Sequence, residues 1–499
     1  MTSRQEKKRL VIVSNRLPVV LTENKDGGWS IKPGSGGLVT ALAPVLKDRG
    51  GLWIGWPGVE IGNDRELATM LKETTVDHGY TFCPVSLTRE DVDGYYHGFA
   101  NQILWPLFHD LQTRCNFSPA YWRSYIRVNE KFARTVAATV DDNDDHIWVH
   151  DYHLMCLGRE LRNNGIRSKI GYFLHTPFPP LDLFLKLPWR FQILENLLAY
   201  DVLGFQTQRD RRNFVQCVHA MFRDVRIRGR SRILSTIIND RRIKIGNFPI
   251  SIDYEEFAHK AAEGDVKKRQ AELKSIYKTQ HLILGVDRLD YSKGIPERLL
   301  AFRKALKMYP DLRNNISLVQ VVVPSRANIP EYTDLKNEIE RLIGEINGEF
   351  TQPGWVPIHY IYQAIDRTEL VALYLAADIA LITPLKDGMN LIAKEYCASN
   401  INEDGVLILS EFAGAAGQLE KHALLVNPYD IESTAGKIYQ AFRMEAGERA
   451  ARMRAMRKSI RQTDIYWWVD SFLKAVFTND DQGFLPLRDY IPTAVLLGI

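Results

Sequence analysis

Short apolar runs, each closing on a polar or charged residue and followed by a helical pattern, recur through the chain and leave few architectures open. Leu10–Val13 runs into Ser14-Asn15-Arg16, Ile147–His150 into Asp151-Tyr152-His153, Ile170–His175 into Thr176-Pro177, and Val202–Gln206 continues the series. A second series starts at Leu282–Val286 and continues through Leu318–Arg326, Ile358–Ile365, Asp378–Thr383 and Gly405–Ala416. Runs without a polar face fit parallel strands covered by helices on both sides. Two such series predict an α/β chain of two doubly wound parallel-sheet domains facing across a cleft. Lys244–Asp253 has the composition of an exit strand and linker. The expected division is therefore 1–252, 253–464, and a C-terminal helix and tail over 465–499 that pack back on the first domain.

Length and composition narrow the function. A chain of 499 residues holds two or three domains with ample core. With 64 basic against 60 acidic residues and a net charge of +4, bulk charge does not suggest nucleic acid as a partner. The five cysteines (Cys83, Cys115, Cys156, Cys217, Cys397) are odd in number and lack any CxxC, which argues for reduced thiols in the cytoplasm. No apolar run is long enough for a signal peptide or a membrane span, so no membrane partner is expected. The apolar end Ile491–Ile499 reads as a tail packed on protein. Asp141–Asp145 mimics half of a calcium loop, but His146 stands where Gly is needed and Tyr152 where Glu is needed.

The chemistry is expected at the carboxyl ends of the strands, where open α/β sheets bind ligands. Thr383–Tyr396 follows a strand and leads through Asp387, Gly388 and Asn390 into a helix from Leu391, with Asn390 as N-cap and Glu395 in its second turn. Arg16 and Arg326 close two other strands, and a guanidinium fork suits a phosphate. Gly34–Leu38 (GSGGL) opens a helix and lets a phosphate or sugar approach the backbone. Arg288 and Lys293 sit on one loop that is not a Walker motif, spaced to grip both phosphates of a nucleotide diphosphate. His150, His153 and His175 have neither HExxH spacing nor a cysteine partner, so zinc is not expected. Each of these groups taken singly is also compatible with a solvated surface charge, a surface salt bridge or core packing.

Together, VSNR, SGGL, HDYH, FLHTPFP, DRLDYSKG, VPSR, DGMNLIAKEY and LSEFAGAA resemble the trehalose-6-phosphate synthases over about residues 9–477. That resemblance implies two Rossmann-like domains in the GT-B arrangement and retaining transfer of glucose from UDP-glucose to glucose 6-phosphate. No metal or cofactor is implied, and the protein is expected as a homo-oligomer, dimer or tetramer. By similarity Arg16 and Arg326 hold the acceptor phosphate, with Tyr96, Trp105 and Asp151 completing the acceptor pocket. Gly36 and Gly37 belong to the phosphate-side loop, and Arg288 and Lys293 grip the diphosphate. His175 and Asp387 contact the transferred glucose, and Glu395 binds the ribose. Gly388, Met389, Asn390, Leu391, Ile392 and Ala393 line the donor site through their backbone, and Ile365 stands at the nucleobase position. Reaction on one face, with the leaving phosphate taking the acceptor's proton, is likewise implied. Asp91–Tyr95 (DVDGY) lacks the threonine of a phosphatase DxDxT motif, so the product is expected to leave phosphorylated.

Two other readings compete. A synthase that joins glucose to glycerol 3-phosphate shares the donor end, but such relatives generally lose the SGGL and first-strand Arg pattern found here. A non-catalytic sugar-phosphate sensor usually loses the donor-site cations, whereas Arg288, Lys293 and Glu395 all stand.

Overall fold

A computed structural model describes residues 9–23, 29–34, 37–60, 71, 79–141, 145–229, 232–277, 279–325 and 330–477. Contacts divide them into two units, one made of the residues up to 249 together with 468–477, the other of 250–467.

In the first unit short, largely apolar stretches form β1 (Arg9–Arg16), β4 (Leu52–Trp56), β5 (Thr81–Pro84), β6 (Asp145–His150), β7 (Ile170–Phe173) and β8 (Val202–Phe205). β2 (Val19–Glu23) and β3 (Trp29–Pro33) make a separate antiparallel pair. β9 (Ile233–Ile238) and β10 (Arg241–Asn247) complete the main sheet, whose order is β5-β4-β1-β6-β7-β8-β10-β9. Every pairing in it is parallel except β10 with β9, joined by a two-residue turn in which Asn239 and Asp240 take φ of 49° and 59°. Asn-Asp suits such a turn because short polar side chains tolerate the left-handed region.

Residues 468–477 of the helix Ile465–Phe477 lie on this sheet. Phe472 stacks on Trp148 at 4.3 Å and 6°, and the Trp468 indole donates to the Phe248 carbonyl at 3.0 Å. Gly171 and Gly204 make the close approach possible, since a Cβ on either would stand 2.7 or 2.8 Å from the Phe472 ring.

The second unit carries β11 (His281–Arg288), β12 (Ile316–Val323), β13 (Ile358–Tyr362), β14 (Ile379–Ile382), β15 (Val406–Ser410) and β16 (Leu424–Val426). Their order is β13-β12-β11-β14-β15-β16, parallel throughout. Strand order reverses between β1 and β6 in the first sheet and between β11 and β14 in the second. In doubly wound sheets the loops that leave such a reversal splay to opposite faces and open a crevice. β1 ends in Arg16 and β6 leads to Asp151, while β11 ends in Arg288 and β14 leads to Asp387. The topology of each unit thus selects the same loops that carry the charged residues.

Candidate active site

In the second unit, β11 delivers Arg288 at its last position and the chain then tightens into a short 3₁₀ turn, Tyr291–Lys293. Asp290 caps that turn, accepting from the Ser292 amide at 3.0 Å and hydroxyl at 2.8 Å. Gly294 ends it at φ 62°, where a Cβ would meet the Thr383 carbonyl oxygen at 2.3 Å, so only glycine fits. Lys293 is thereby aimed at the loop after β14, and its Nζ donates to Asp387 Oδ2 at 2.5 Å. Both side chains are mostly buried, at 12% and 14% exposure, which makes this charge-assisted bond stronger than a surface pair.

Asp387 also accepts from Asn390 Nδ2 at 3.1 Å. Asn390, at φ 72°, caps the helix Leu391–Ser399 by accepting from the Ala393 amide at 3.2 Å. Gly388, Met389, Asn390 and Ala393 are buried and Leu391 and Ile392 half-buried at this helix start. Glu395 accepts from Tyr374 Oη at 2.8 Å, and burial raises its pKa. Lys394 faces another way: it is fully buried, donates to the Ile250 carbonyl at 2.9 Å, and burial lowers its pKa to about 7. Ile365, half-buried, lies between β13 and Asp366, the N-cap of the following helix.

One residue that sequence reading missed holds these loops together. Arg298 is 1% exposed and donates to Asp287 Oδ2 at 2.5 Å, Thr383 Oγ1 at 3.0 Å and Gln320 Oε1 at 3.1 Å. Its fork ties Asp287, the residue before Arg288 near the end of β11, and Thr383, the residue before Pro384 just past β14, to Gln320 of β12. The stretch Ile295–Met308 reads as an ordinary amphipathic helix, and nothing local marks Arg298 as buried.

In the first unit, Arg16 lies with its Cζ 4.5 Å from the Trp56 ring centroid. Gly58, at φ 96°, leaves the space, since a Cβ there would stand 2.4 Å from Arg16 Cζ. Desolvation in this seat lowers the Arg16 pKa, opposed by nearby Tyr96. Trp56 is a second residue missed in the sequence, where its strand context hides it. Tyr96 belongs to Val92–Leu104, wound with the wider π-helical repeat that is rare and concentrates at functional sites. Its ring stacks on His153 at 5.9 Å and 13°. Tyr95, next to it, is a core residue whose hydroxyl donates to Asn15 Oδ1 at 3.0 Å. Trp105 is buried against His109 and Tyr152, at 4.1 and 5.7 Å between ring centroids. Asp151 adopts φ 74° and ψ 167°, a region that strains any side-chain-bearing residue. The strain is held by its amide donating to the Phe173 carbonyl at 2.8 Å and its Oδ1 accepting from the His175 amide at 3.3 Å.

His175 and His150 form a ring-to-ring hydrogen bond, His150 Nδ1 to His175 Nε2 at 3.1 Å. Burial drives His150 well below the usual imidazole range, and His175 down to about 3. Both rings are therefore neutral at pH 7. An unfolded imidazole takes a proton below about 6.5 and the folded one does not, so stability falls as pH drops from about 6.5 toward 3. Denaturant titrations at pH 6.5 and 4.5 are expected to show His175→Gln losing about 2 kcal/mol less than the unsubstituted protein over that interval. An equal loss in both proteins would show that His175 protonates freely in the fold.

Gly37 begins the helix Gly37–Arg49, whereas Gly36 and Arg326 lie outside the described residues. Among the described residues no group of three or more His, Cys, Asp or Glu side chains is placed to hold a metal ion. Asp145, in the would-be calcium loop, instead accepts from Arg9 Nε at 2.7 Å and from the Asp141 amide at 2.7 Å. Asp91 of DVDGY is likewise structural: it closes a capping box with Thr88 and receives Arg127 and Lys131. All five cysteines are free thiols, and no helix among the described residues is long and apolar enough to cross a membrane.

Residues 8–477 match the model of glycosyltransferase family 20. The chain is 41% identical over 471 residues to the trehalose-6-phosphate synthase of Mycobacterium leprae, covering 93% of this chain and 94% of that one. Among solved structures it is similar to an α,α-trehalose-phosphate synthase (UDP-forming) from Burkholderia xenovorans in complex with glucose-6-phosphate. The TM-score is 0.84 at 36% identity, over 94% of this chain and 99% of that one. A structure from E. coli, described as trehalose-6-phosphate bound with UDP-2-fluoro glucose, matches with TM-score 0.83 at 37% identity, over 94% and 98% of the two chains. Loops placed at both topological switch points and a family match across nearly the whole chain lead to one assignment: the chain is a member of glycosyltransferase family 20, with the two sheet-bearing α/β units of the GT-B class.

Proposed function

We propose that this protein transfers glucose from UDP-glucose to glucose 6-phosphate, releasing UDP and α,α-trehalose 6-phosphate with retention at the reacting carbon. The observation that carries this reading is the Lys293–Asp387 pair, its lysine on the segment that follows Arg288, at the switch point of the second sheet in a chain of this family. The M. leprae relative is named a trehalose-6-phosphate synthase, and the Burkholderia and E. coli structures were solved with glucose-6-phosphate and UDP-2-fluoro glucose.

Breaking the sugar–phosphate bond leaves positive charge on the sugar and negative charge on the diphosphate. Arg288 and Lys293 supply fixed positive charge to the departing diphosphate, a task that costs no reorganisation during the reaction. Asp387 orients Lys293 and, with His175, holds the transferred glucose. Glu395, kept in place by Tyr374, takes the ribose. The backbone of residues 388–393, with Ile365 and the Gly36-Gly37 loop, completes the donor side. Arg16 and Arg326 take the acceptor phosphate, with Tyr96, Trp105 and Asp151 around the acceptor sugar. The proton of the acceptor hydroxyl passes to the leaving phosphate. The same reading places the protein in the reducing cytoplasm as a homo-oligomer, dimer or tetramer, which light scattering of the purified protein tests.

UDP release from UDP-glucose is expected with glucose 6-phosphate, and neither with glycerol 3-phosphate nor without acceptor. Release with glycerol 3-phosphate would favour the rival synthase, and no release under any condition would favour a sensor. A panel of UDP-, ADP- and GDP-glucose fixes the base preference. Arg16→Ala is expected to raise KM for glucose 6-phosphate at least ~10-fold while barely changing the weak use of free glucose, the loss of one charge-assisted contact. Equal losses for both acceptors would contradict a phosphate contact.

A further inference from the structure

The ring pair in the first unit specifies more than neutrality. We infer that His150 is a positioning residue that locks His175 into the tautomer protonated on Nδ1, so that His175 serves the sugar only as a hydrogen-bond donor and never as a base. The inference rests on the reading that His175 contacts the transferred glucose.

The argument is one of proton placement. Between two neutral imidazoles sharing an N···N bond, one ring alone carries the bridging proton. If His175 Nε2 held it, His150 would be protonated on its other nitrogen, Nε2. That atom is fully buried and has no hydrogen-bond partner among the described residues. A buried N–H without an acceptor forfeits its full desolvation cost, about 1–3 kcal/mol, and orphaned donors are rarer in proteins than under-used acceptors. The ring next to His150 sharpens the choice. Trp148 lies 4.7 Å away between centroids, and its indole Nε1, which only donates, is also buried without a partner among the described residues. Trp148 thus offers no acceptor to a second N–H on His150. The bridging proton therefore belongs to His150 Nδ1, and His175 Nε2 accepts it. A neutral His175 that accepts at Nε2 must carry its own proton on Nδ1.

The remaining surroundings keep the pair in register. His150 is the last residue of β6 and His175 follows β7, two residues past its end, while Phe173 and Trp468 close around His175 at 4.7 and 6.1 Å. The charged group that meets this loop is Asp151, whose Oδ1 is engaged by the His175 backbone amide. The carboxylate thus fixes the peptide, and the tautomer is left to His150. A His175 that has Nε2 occupied and Nδ1 protonated offers a hydroxyl oxygen one donor and no lone pair.

The test uses the full chain labelled with ¹⁵N-histidine, with the His175 signals identified by their loss in His175→Gln. Long-range ¹H–¹⁵N correlations at pH 7 are expected to show His175 protonated on Nδ1, and a pattern for protonation on Nε2 overturns the inference whatever the activity. His150→Asn keeps an N–H donor close to the Nδ1 position, whereas His150→Phe keeps the bulk and removes the donor. Expected is a His175 tautomer retained in His150→Asn and lost in His150→Phe, with kcat for UDP release within ~3-fold of the parent in the first and down ~10-fold or more in the second. An unchanged His175 pattern in His150→Phe would also overturn it. If the tautomer follows the variants as expected while kcat stays level, the lock stands and the sugar contact assigned to His175 is what fails.

Discussion

Turnover in Arg288→Ala and in Lys293→Ala is expected to fall by at least ~10²-fold, with thermal stability of Arg288→Ala close to the parent. A cation ~4 Å from a phosphate charge gains ~4 kcal/mol at an effective dielectric of ~20, and desolvation takes back part of it. What remains, a few kcal/mol on the leaving group, is roughly 10²- to 10³-fold in rate. Arg288 is exposed at the end of β11, so its removal disturbs chemistry more than packing. Lys293 differs because it is mostly buried against Asp387, and its alanine variant leaves that carboxylate with Asn390. Lys293→Ala should therefore lose stability as well as rate. UDP release under saturating donor and acceptor, read beside a thermal melt, separates the two effects. Turnover unchanged in both variants would remove the proposed role in stabilising the departing diphosphate.

The largest stability effect is expected at Arg298. Arg298→Met leaves the buried Asp287 carboxylate without its cation and should cost about 3–5 kcal/mol, as breaking one side of a buried pair does. Burial already raises the Asp287 pKa even with Arg298 present, and removing the arginine raises it further. The sign of the pH dependence follows. A carboxyl that stays protonated in the fold but ionises when unfolded is stable below its unfolded pKa and loses stability as pH rises through its folded one. The deficit of Arg298→Met should thus be smaller at pH 5 than at pH 8, measured by urea denaturation. Replacing Asp287 with leucine in the same chain should restore much of the loss, because an apolar pair of similar volume replaces a buried ion pair at little cost. A deficit that ignores both pH and the second substitution would mean that Asp287 is not the group left stranded.

How far the site could be read without coordinates differs from residue to residue. The inner strands of both sheets were legible because they are nearly continuous apolar runs, as β12 and β15 are, and burial on both faces demands that composition, whereas the short edge strands β5 and β16, at four and three residues, were not read. The Asn390 cap and the helix after it were legible because capping is settled within a few residues of chain. The antiparallel hairpin of β9 and β10 was passed over, although Asn239-Asp240 between two β-branched runs is the turn signal that marks it. The contact-based divisions fall after 249 and after 467, near the linker composition of Lys244–Asp253 and within the aromatic stretch around Trp467 and Trp468.

The sequence by itself determined which elements form and which charged residues stand at strand ends, since apolar periodicity, caps and turns act over a few residues. Only the tertiary structure decided who partners whom: Lys293 with Asp387 across 94 positions, Arg298 with Thr383 across 85, and His150 with His175 across 25. Those pairings depend on strand order, which no local pattern encodes, and on burial, which turns an ordinary arginine or histidine into one that must find its partner within the fold.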